Sequence, residues 1–145
     1  LSMHESDLPE FKARFESYVA SHIRPEQQQP TLEVEAEVHL AELDWQLYKI
    51  LQCLEPFGPD NERPLFMCRG LINNRNTHAV SDGRHLHLDL TDRVMAMEGI
   101  AFGEGEKASH LQNGGKVDVC FYLEDNTFRG RTTLQMNAQD VKLNL

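Results

Sequence analysis

Two clusters in this sequence hold side chains able to act on a ligand. The first is Phe128-Arg129-Gly130-Arg131, an aromatic ring with one arginine beside it and a second two residues further on. It closes a polar stretch, Asp125 to Arg131, that reads as a hairpin loop. Bases stack on aromatic rings whatever their identity, and arginines neutralise phosphates, so the chemistry suits a single-stranded nucleic acid. The competing expectation is that Phe128 folds back to plug the end of the structure its strands enclose. The second cluster is His85-x-His87, followed by Asp89 and flanked by the cations Arg84 and Arg75. Two imidazoles on one strand face could ligate a metal, which would need a third ligand and an outer shell that the sequence does not offer. They could instead stack on bases or donate to phosphate, or belong to an ordinary wet strand face.

Other candidates fall away. Glu33, Glu35 and Glu37 alternate with Val34 and Ala36, which spaces the carboxylates ~7 Å apart along one exposed strand face with no His or Asp converging on them. Gly103-Glu104-Gly105-Glu106 is acidic and lacks the Gly-Lys-Ser/Thr ending of a phosphate loop. No Ser-His-Asp or Cys-His arrangement has a diagnostic context. The three cysteines, Cys53, Cys68 and Cys120, are scattered and without metal spacing, as expected of buried free thiols in a reducing cytoplasm.

The elements that must position these clusters are legible as periods. Val117, Val119, Phe121 and Leu123 alternate with polar residues, and Leu134 and Met136 resume the alternation beyond the loop. Leu86, Leu88 and Leu90 do the same opposite His85, His87 and Asp89, after a turn at Ser81-Asp82-Gly83-Arg84. Leu65 to Asn73 and Thr77 to Val80 read as one strand bent at Asn73 to Asn76. Val94 to Phe102 is a third strand, where Gly99 implies a bulge or a close backbone approach. Glu104 to Leu111 reads as a short helix, broken by Asn113-Gly114-Gly115. The order strand, strand, strand, short helix, strand, strand is that of the five-stranded Greek-key OB-fold.

Upstream, Leu8, Phe11, Phe15, Tyr18 and Val19 form one face of a helix started by Asp7 as cap and Pro9, with Glu10 completing a capping box. Such a face needs something to pack on. Pro25 to Pro30 (PEQQQP) reads as a linker, Thr31 to Leu40 as a strand. A helix capped by Asp44 follows, with Leu47, Ile50, Leu51 and Leu54 as its apolar stripe and Trp45 as packing. The expected whole is mainly β: a barrel over 61–145, a linker, strand and helix over 25–60, and a helix over 1–24 left from a preceding domain.

Of 145 residues, 40% are apolar, enough for one core, and no run suits a membrane span. The net charge of −9 is uneven. Residues 1–60 carry 12 acidic and 4 basic side chains, a balance of −8; residues 61–145 carry 11 and 10, a balance of −1. A near-neutral barrel permits phosphate binding without announcing it.

Three stretches taken together carry a family likeness: Phe11-Lys12-Ala13-Arg14-Phe15-Glu16, then Leu54-Glu55-Pro56-Phe57-Gly58-Pro59-Asp60-Asn61-Glu62-Arg63-Pro64, then Ile100-Ala101-Phe102-Gly103 with Val117-Asp118-Val119 and Phe128-Arg129-Gly130. In order and spacing they resemble the C-terminal part of the RecJ family of single-strand-specific 5′→3′ DNA exonucleases. The first resembles the helix after the family's GGHxxAAG segment, so that Leu1 would begin just past it; the second resembles the LEPFGxGNPxP junction, and the third the OB domain. Asp60 and Glu62 depart from the junction's Gly and Pro, Phe128 stands where Trp is common, and His87 stands where a permanent cation is frequent.

The resemblance implies a parent nuclease of DNA repair and recombination, cytoplasmic, with a two-metal Mn²⁺ or Mg²⁺ site in a DHH-type domain. That chemistry needs an Asp-His-His run, which this sequence lacks, so the chain alone is expected to be inactive. Its role would be to grip single-stranded DNA through Arg75, Arg84, His85, His87, Phe128, Arg129 and Arg131 and orient it for the nuclease domains of the same parent chain. Two rivals stay open. One is a protein-interaction module that braces the nuclease or recruits a single-strand-binding protein; the other is a metal-dependent hydrolase built on His85 and His87.

Overall fold

A computed structural model describes residues 4–24 and 31–144. The chain divides at Leu32/Glu33 into two compact units. The first contains α1 (Leu8–His22), with Pro9 in its first turn. Asp7 does not cap it: Glu5–Asp7 forms a 3-10 turn that holds the Asp7 backbone in the helical region (φ −90°, ψ −10°) and makes no side-chain cap bond. A cap residue needs extended backbone to turn its carboxylate onto the first free N–H groups. The apolar stripe stays exposed, Phe15 at 56% and Tyr18 at 63%. The expected linker at Pro25 to Pro30 lies outside the described residues.

The second unit begins with an extended segment. The long strand expected over Thr31 to Leu40 reduces to β1 (Ala36–Glu37), paired in parallel with β2 (Phe66–Asn73). The alternation survives on either side of it, with Val34 and Val38 half-buried and Glu33, Glu35 and Glu37 exposed; what is missing is a backbone partner beyond Leu65 and Met67, whose carbonyls accept from Glu35 and Val38. Helix α2 (Trp45–Gln52) is capped as expected, Asp44 Oδ1 accepting from the Leu47 N–H at 2.8 Å. Its inward face is Leu47, Tyr48 and Leu51. Ile50 and Leu54 are instead exposed, at 55% and 49%: Ile50 is off the inward face, and Leu54 lies past the end of the helix at Gln52.

The remaining strands are β3 (His78–Val80), β4 (His85–Thr91), β5 (Ala96–Ala101), β6 (Lys116–Phe128) and β7 (Arg131–Asn144), with α3 (Ala108–Gln112) between β5 and β6. Pairing runs β2–β4–β5–β7–β6 and returns from β6 to β2, with β5–β7 the parallel step. That circuit closes a five-stranded barrel of OB type. Closure leaves no free edge among its five strands, with β1 and β3 as short additions. The interior is filled by the residues that the alternation assigns to it: Leu86, Leu88, Leu90, Val117, Val119, Phe121, Met136 and Val141, all at most 1% exposed.

Two local devices shape the barrel. The β2–β6 register shifts between Cys68 and Leu71, where Gly70 takes φ +63° and donates its N–H to Asp118 Oδ1 at 2.8 Å. At the parallel step Gly99 faces Met136 so closely that a Cβ would lie 2.7 Å from the Met136 carbonyl oxygen. The close approach read from Gly99 is thus what brings β5 and β7 together. Of the cysteines, Cys68 is buried, its thiol pushed up to about 12 by desolvation; Cys120 is half-buried, whereas Cys53 is exposed, against expectation, because it follows α2 on the solvent side.

Candidate nucleic-acid interface

The β6–β7 hairpin is longer and tighter than its polar sequence suggests. Pairing continues to Phe128↔Arg131, and the expected seven-residue loop reduces to Arg129-Gly130, at φ +51° and +78°. Positive φ at both central residues is the type I′ geometry whose twist matches the flanking strands. Cross-strand pairing therefore carries Asp125 to Phe128 outward, with Thr127 and Thr132 hydroxyls 2.8 Å apart. Phe128 does not fold back: it is 65% exposed, and the Arg129 guanidinium lies 5.1 Å from its ring centroid.

The base of the hairpin is braced. Tyr48 on α2 donates its hydroxyl to Asp125 Oδ1 at 2.6 Å, a bond that raises the tyrosine's pKa. Arg63 donates to Glu124 Oε1 at 2.8 Å and to the Leu123 carbonyl at 2.9 Å, and lies over the Tyr122 ring. Arg69 pairs with Glu37 at 2.8 Å, and Lys107 pairs with Glu104. These three cations are committed to the scaffold. Among the described residues, Arg75, Arg84, Arg129 and Arg131 make no ion pair.

A groove of about 660 Å³ opens between this hairpin and the outer face of β4–β5, bordered by Phe128, Arg131, His87 and Glu98. The structure thus brings together three of the residues expected from sequence: His87, Phe128 and Arg131. Arg129 sits on the Phe128 ring. Arg84 and His85 lie further along β4, where Arg84 Nε donates to the Ser81 carbonyl at 3.2 Å and His85 Nδ1 accepts from the Gly103 N–H at 3.1 Å. Arg75 is exposed on the bend before β3, outside the groove lining.

That bend is fastened to β4. Asp89 accepts from Asn74 Nδ2 at 3.1 Å and from the Asn76 N–H at 3.1 Å, and buried Thr77 exchanges two bonds with the Asp89 backbone. The Asn76 carbonyl in turn faces Nδ1 of both His78 and His87, at 2.7 and 3.3 Å, which sets their rings 5.0 Å apart. Sequence reading missed His78, which the β3–β4 register places opposite His87, and Glu98, whose even position on β5 already puts it on the outer face. Among the described residues no group of three or more His, Cys, Asp or Glu could hold a metal ion, so His85 and His87 do not form part of one.

A closed five-stranded barrel with an aromatic and arginines raised beside its β4–β5 face defines an OB domain of the kind that handles oligomeric ligands. More narrowly, the chain belongs to the RecJ OB domain family, whose model matches residues 34–140. It is similar to the single-stranded-DNA-specific exonuclease RecJ of Thermus thermophilus, at 28% identity over 141 residues, covering 97% of this chain and 19% of that protein. The crystal structures of Thermus thermophilus RecJ in complex with Mg²⁺ and with Mn²⁺ both match with a TM-score of 0.74 and 27% identity. They cover 97% and 98% of this chain and 21% and 20% of theirs. The chain therefore spans about a fifth of the length of these relatives. The metals of those structures find no ligand set among the described residues here.

Proposed function

We propose that this chain is the single-strand-gripping module of a RecJ-like 5′→3′ exonuclease. It holds DNA across the β4–β5 face and feeds it to a metal-dependent phosphodiesterase domain, Mn²⁺- or Mg²⁺-loaded, elsewhere in the parent protein. The observation that carries the reading is Phe128: a large ring held 65% in solvent by a rigid two-residue turn, with Arg129 on it and Arg131 beside the groove. An exposed aromatic of this kind contributes ~1–3 kcal/mol when a base stacks on it. Arg131 and His87 border the path for the phosphates, and Arg75 and Arg84 flank it. A duplex hides its base faces, so the grip selects single strands.

The test is fluorescence anisotropy of a labelled single-stranded oligonucleotide against this chain, with duplex of the same sequence alongside. The expected result is saturable single-strand binding that Phe128→Ala weakens by roughly 5- to 100-fold. Binding that ignores Phe128→Ala, or prefers duplex, overturns the reading. A bracing or partner-recruiting module is the second reading. It is favoured by the near-neutral barrel and by Asp89 and Glu98, which stand opposite each other on the same face; absence of DNA binding even at low salt would leave it standing.

A further inference from the structure

Phe102 lies outside both the hairpin tip and the histidine strand, yet it is 63% exposed on a closed barrel whose interior is full. It follows the last residue of β5, at the end opposite Ala96, which lines the groove beside Phe128. Its position is fixed from three sides. The His85 ring meets it edge-on at 5.2 Å between centroids. The next residue, Gly103, at φ +80°, donates its N–H to His85 Nδ1 at 3.1 Å, so that His85 carries its ring proton on Nε2. Gly105 packs so tightly on the β3–β4 turn that a Cβ there would lie 1.9 Å from the Gly83 carbonyl oxygen, and its N–H donates to the Arg84 carbonyl at 3.4 Å. A large apolar ring is therefore held in water against the His85 ring, on a turn whose backbone is fastened to His85 and to the β3–β4 turn that carries Arg84. Phe102 shares with Phe128 the exposed ring and the fixed turn, while the Arg84 side chain donates its Nε to the Ser81 carbonyl.

We propose that Phe102, braced by His85, is a second base-stacking platform, and that one DNA single strand is held between it and Phe128. The proposal rests on the DNA-gripping reading above and adds the path to it. Ala96 to Phe102 is six steps along β5 and its exit, ~20 Å if extended, with Glu98 and Ile100 on the outward positions between them. The path runs from Arg131 and Glu98 past His87 to His85, each on an outward position of its strand. A path of that length needs several nucleotides, in keeping with the ~4–16 that an OB fold accommodates. Stacking at both ends would hold the strand across a middle in which Glu98 and Asp89 offer nothing to phosphate.

The experiment is a length series of labelled oligothymidylates, from three to twelve nucleotides, titrated into the 145-residue chain and into Phe102→Ala, Phe102→Tyr and Phe128→Ala variants. Thermal melts verify that each variant is folded. The expected wild-type result is a rise in affinity once the oligonucleotide is long enough to reach both rings. Phe102→Ala removes that rise, weakening binding of the longer oligonucleotides roughly 5- to 100-fold, while Phe102→Tyr, which keeps a stacking ring, restores it. If Phe102→Ala binds every length as wild type does while Phe128→Ala is impaired, the second platform is wrong and the single-platform grip survives. If the wild-type chain binds no length, both readings fall together.

Discussion

Glu98 is the residue in the groove that its chemistry least explains. It is exposed and lines the path beside His87, and its carboxylate makes no ion pair or hydrogen bond among the described residues. A carboxylate on a phosphate path repels it, so Glu98→Gln is expected to tighten oligonucleotide binding by about 2- to 3-fold at low salt, an effect of ~0.5 kcal/mol for an exposed charge. The gain should fade at high salt, where exposed charges are screened. Unchanged affinity at low salt would place the DNA elsewhere on the barrel. Asp118 is the contrasting carboxylate. Burial raises its pKa, but the Asn144 side chain, the Gly70 N–H, Arg69 and Lys142 together outweigh this and hold it below the usual range. A carboxyl depressed in the folded state contributes stability that is complete at neutral pH and is lost as pH falls through its folded value. Asp118→Asn should therefore be less stable than wild type at pH 7, by ~1–3 kcal/mol, and the gap should close at an acid pH below that depressed folded-state value. Urea unfolding at the two pH values measures it; a gap that persists in acid would mean that packing, not charge, is what Asp118 supplies.

At the scale of elements, the parallel β5–β7 step is where the barrel closes, and Gly99 permits it. Gly99→Ala sets a methyl 2.7 Å from the Met136 carbonyl oxygen and 2.9 Å from its Cβ, both backbone-linked atoms that cannot swing aside. A loss of ~1–3 kcal/mol is expected, of the size that overpacking costs, seen as a lowered urea midpoint; an unchanged midpoint would mean the strands separate at no cost. Gly99 was legible from sequence as a close approach, and so were the inward faces of β4 and β6, because one face is buried and period-two alternation survives intact. The sequence misled where polarity and conformation part company. Asp125 to Thr127 are polar and exposed and read as loop, yet cross-strand pairing and the Tyr48 and Arg63 braces extend β6 through them. Thr31 to Leu40 alternates well and reads as strand, but alternation records which side is wet, not whether a partner backbone lies alongside. His78 and Phe102 were passed over for a related reason: their roles depend on neighbours brought in by β4 and by the β3–β4 turn, contacts that no local pattern encodes.

For the whole molecule, charge bounds how DNA can be held. The barrel half carries 11 acidic and 10 basic residues, and Arg63, Arg69 and Lys107 are committed to internal pairs. Near the proposed path stand Arg75, Arg84, Arg129 and Arg131, with Arg93 on the turn between β4 and β5, so at most about five phosphates are neutralised. Releasing counterions from single-stranded DNA gives a slope of log affinity against log salt of about −0.7 per phosphate, hence no steeper than about −3.5 here. Stacking on Phe128 and Phe102 must then supply much of the affinity, and that component does not depend on salt. Anisotropy titrations across a tenfold salt range should give this shallow slope. They should also give the same slope for Phe128→Ala at lower affinity, since the ring carries no charge. A slope steeper than about −4 would show more cations on the DNA than the β4–β5 face provides, and would move the path to another side of the barrel.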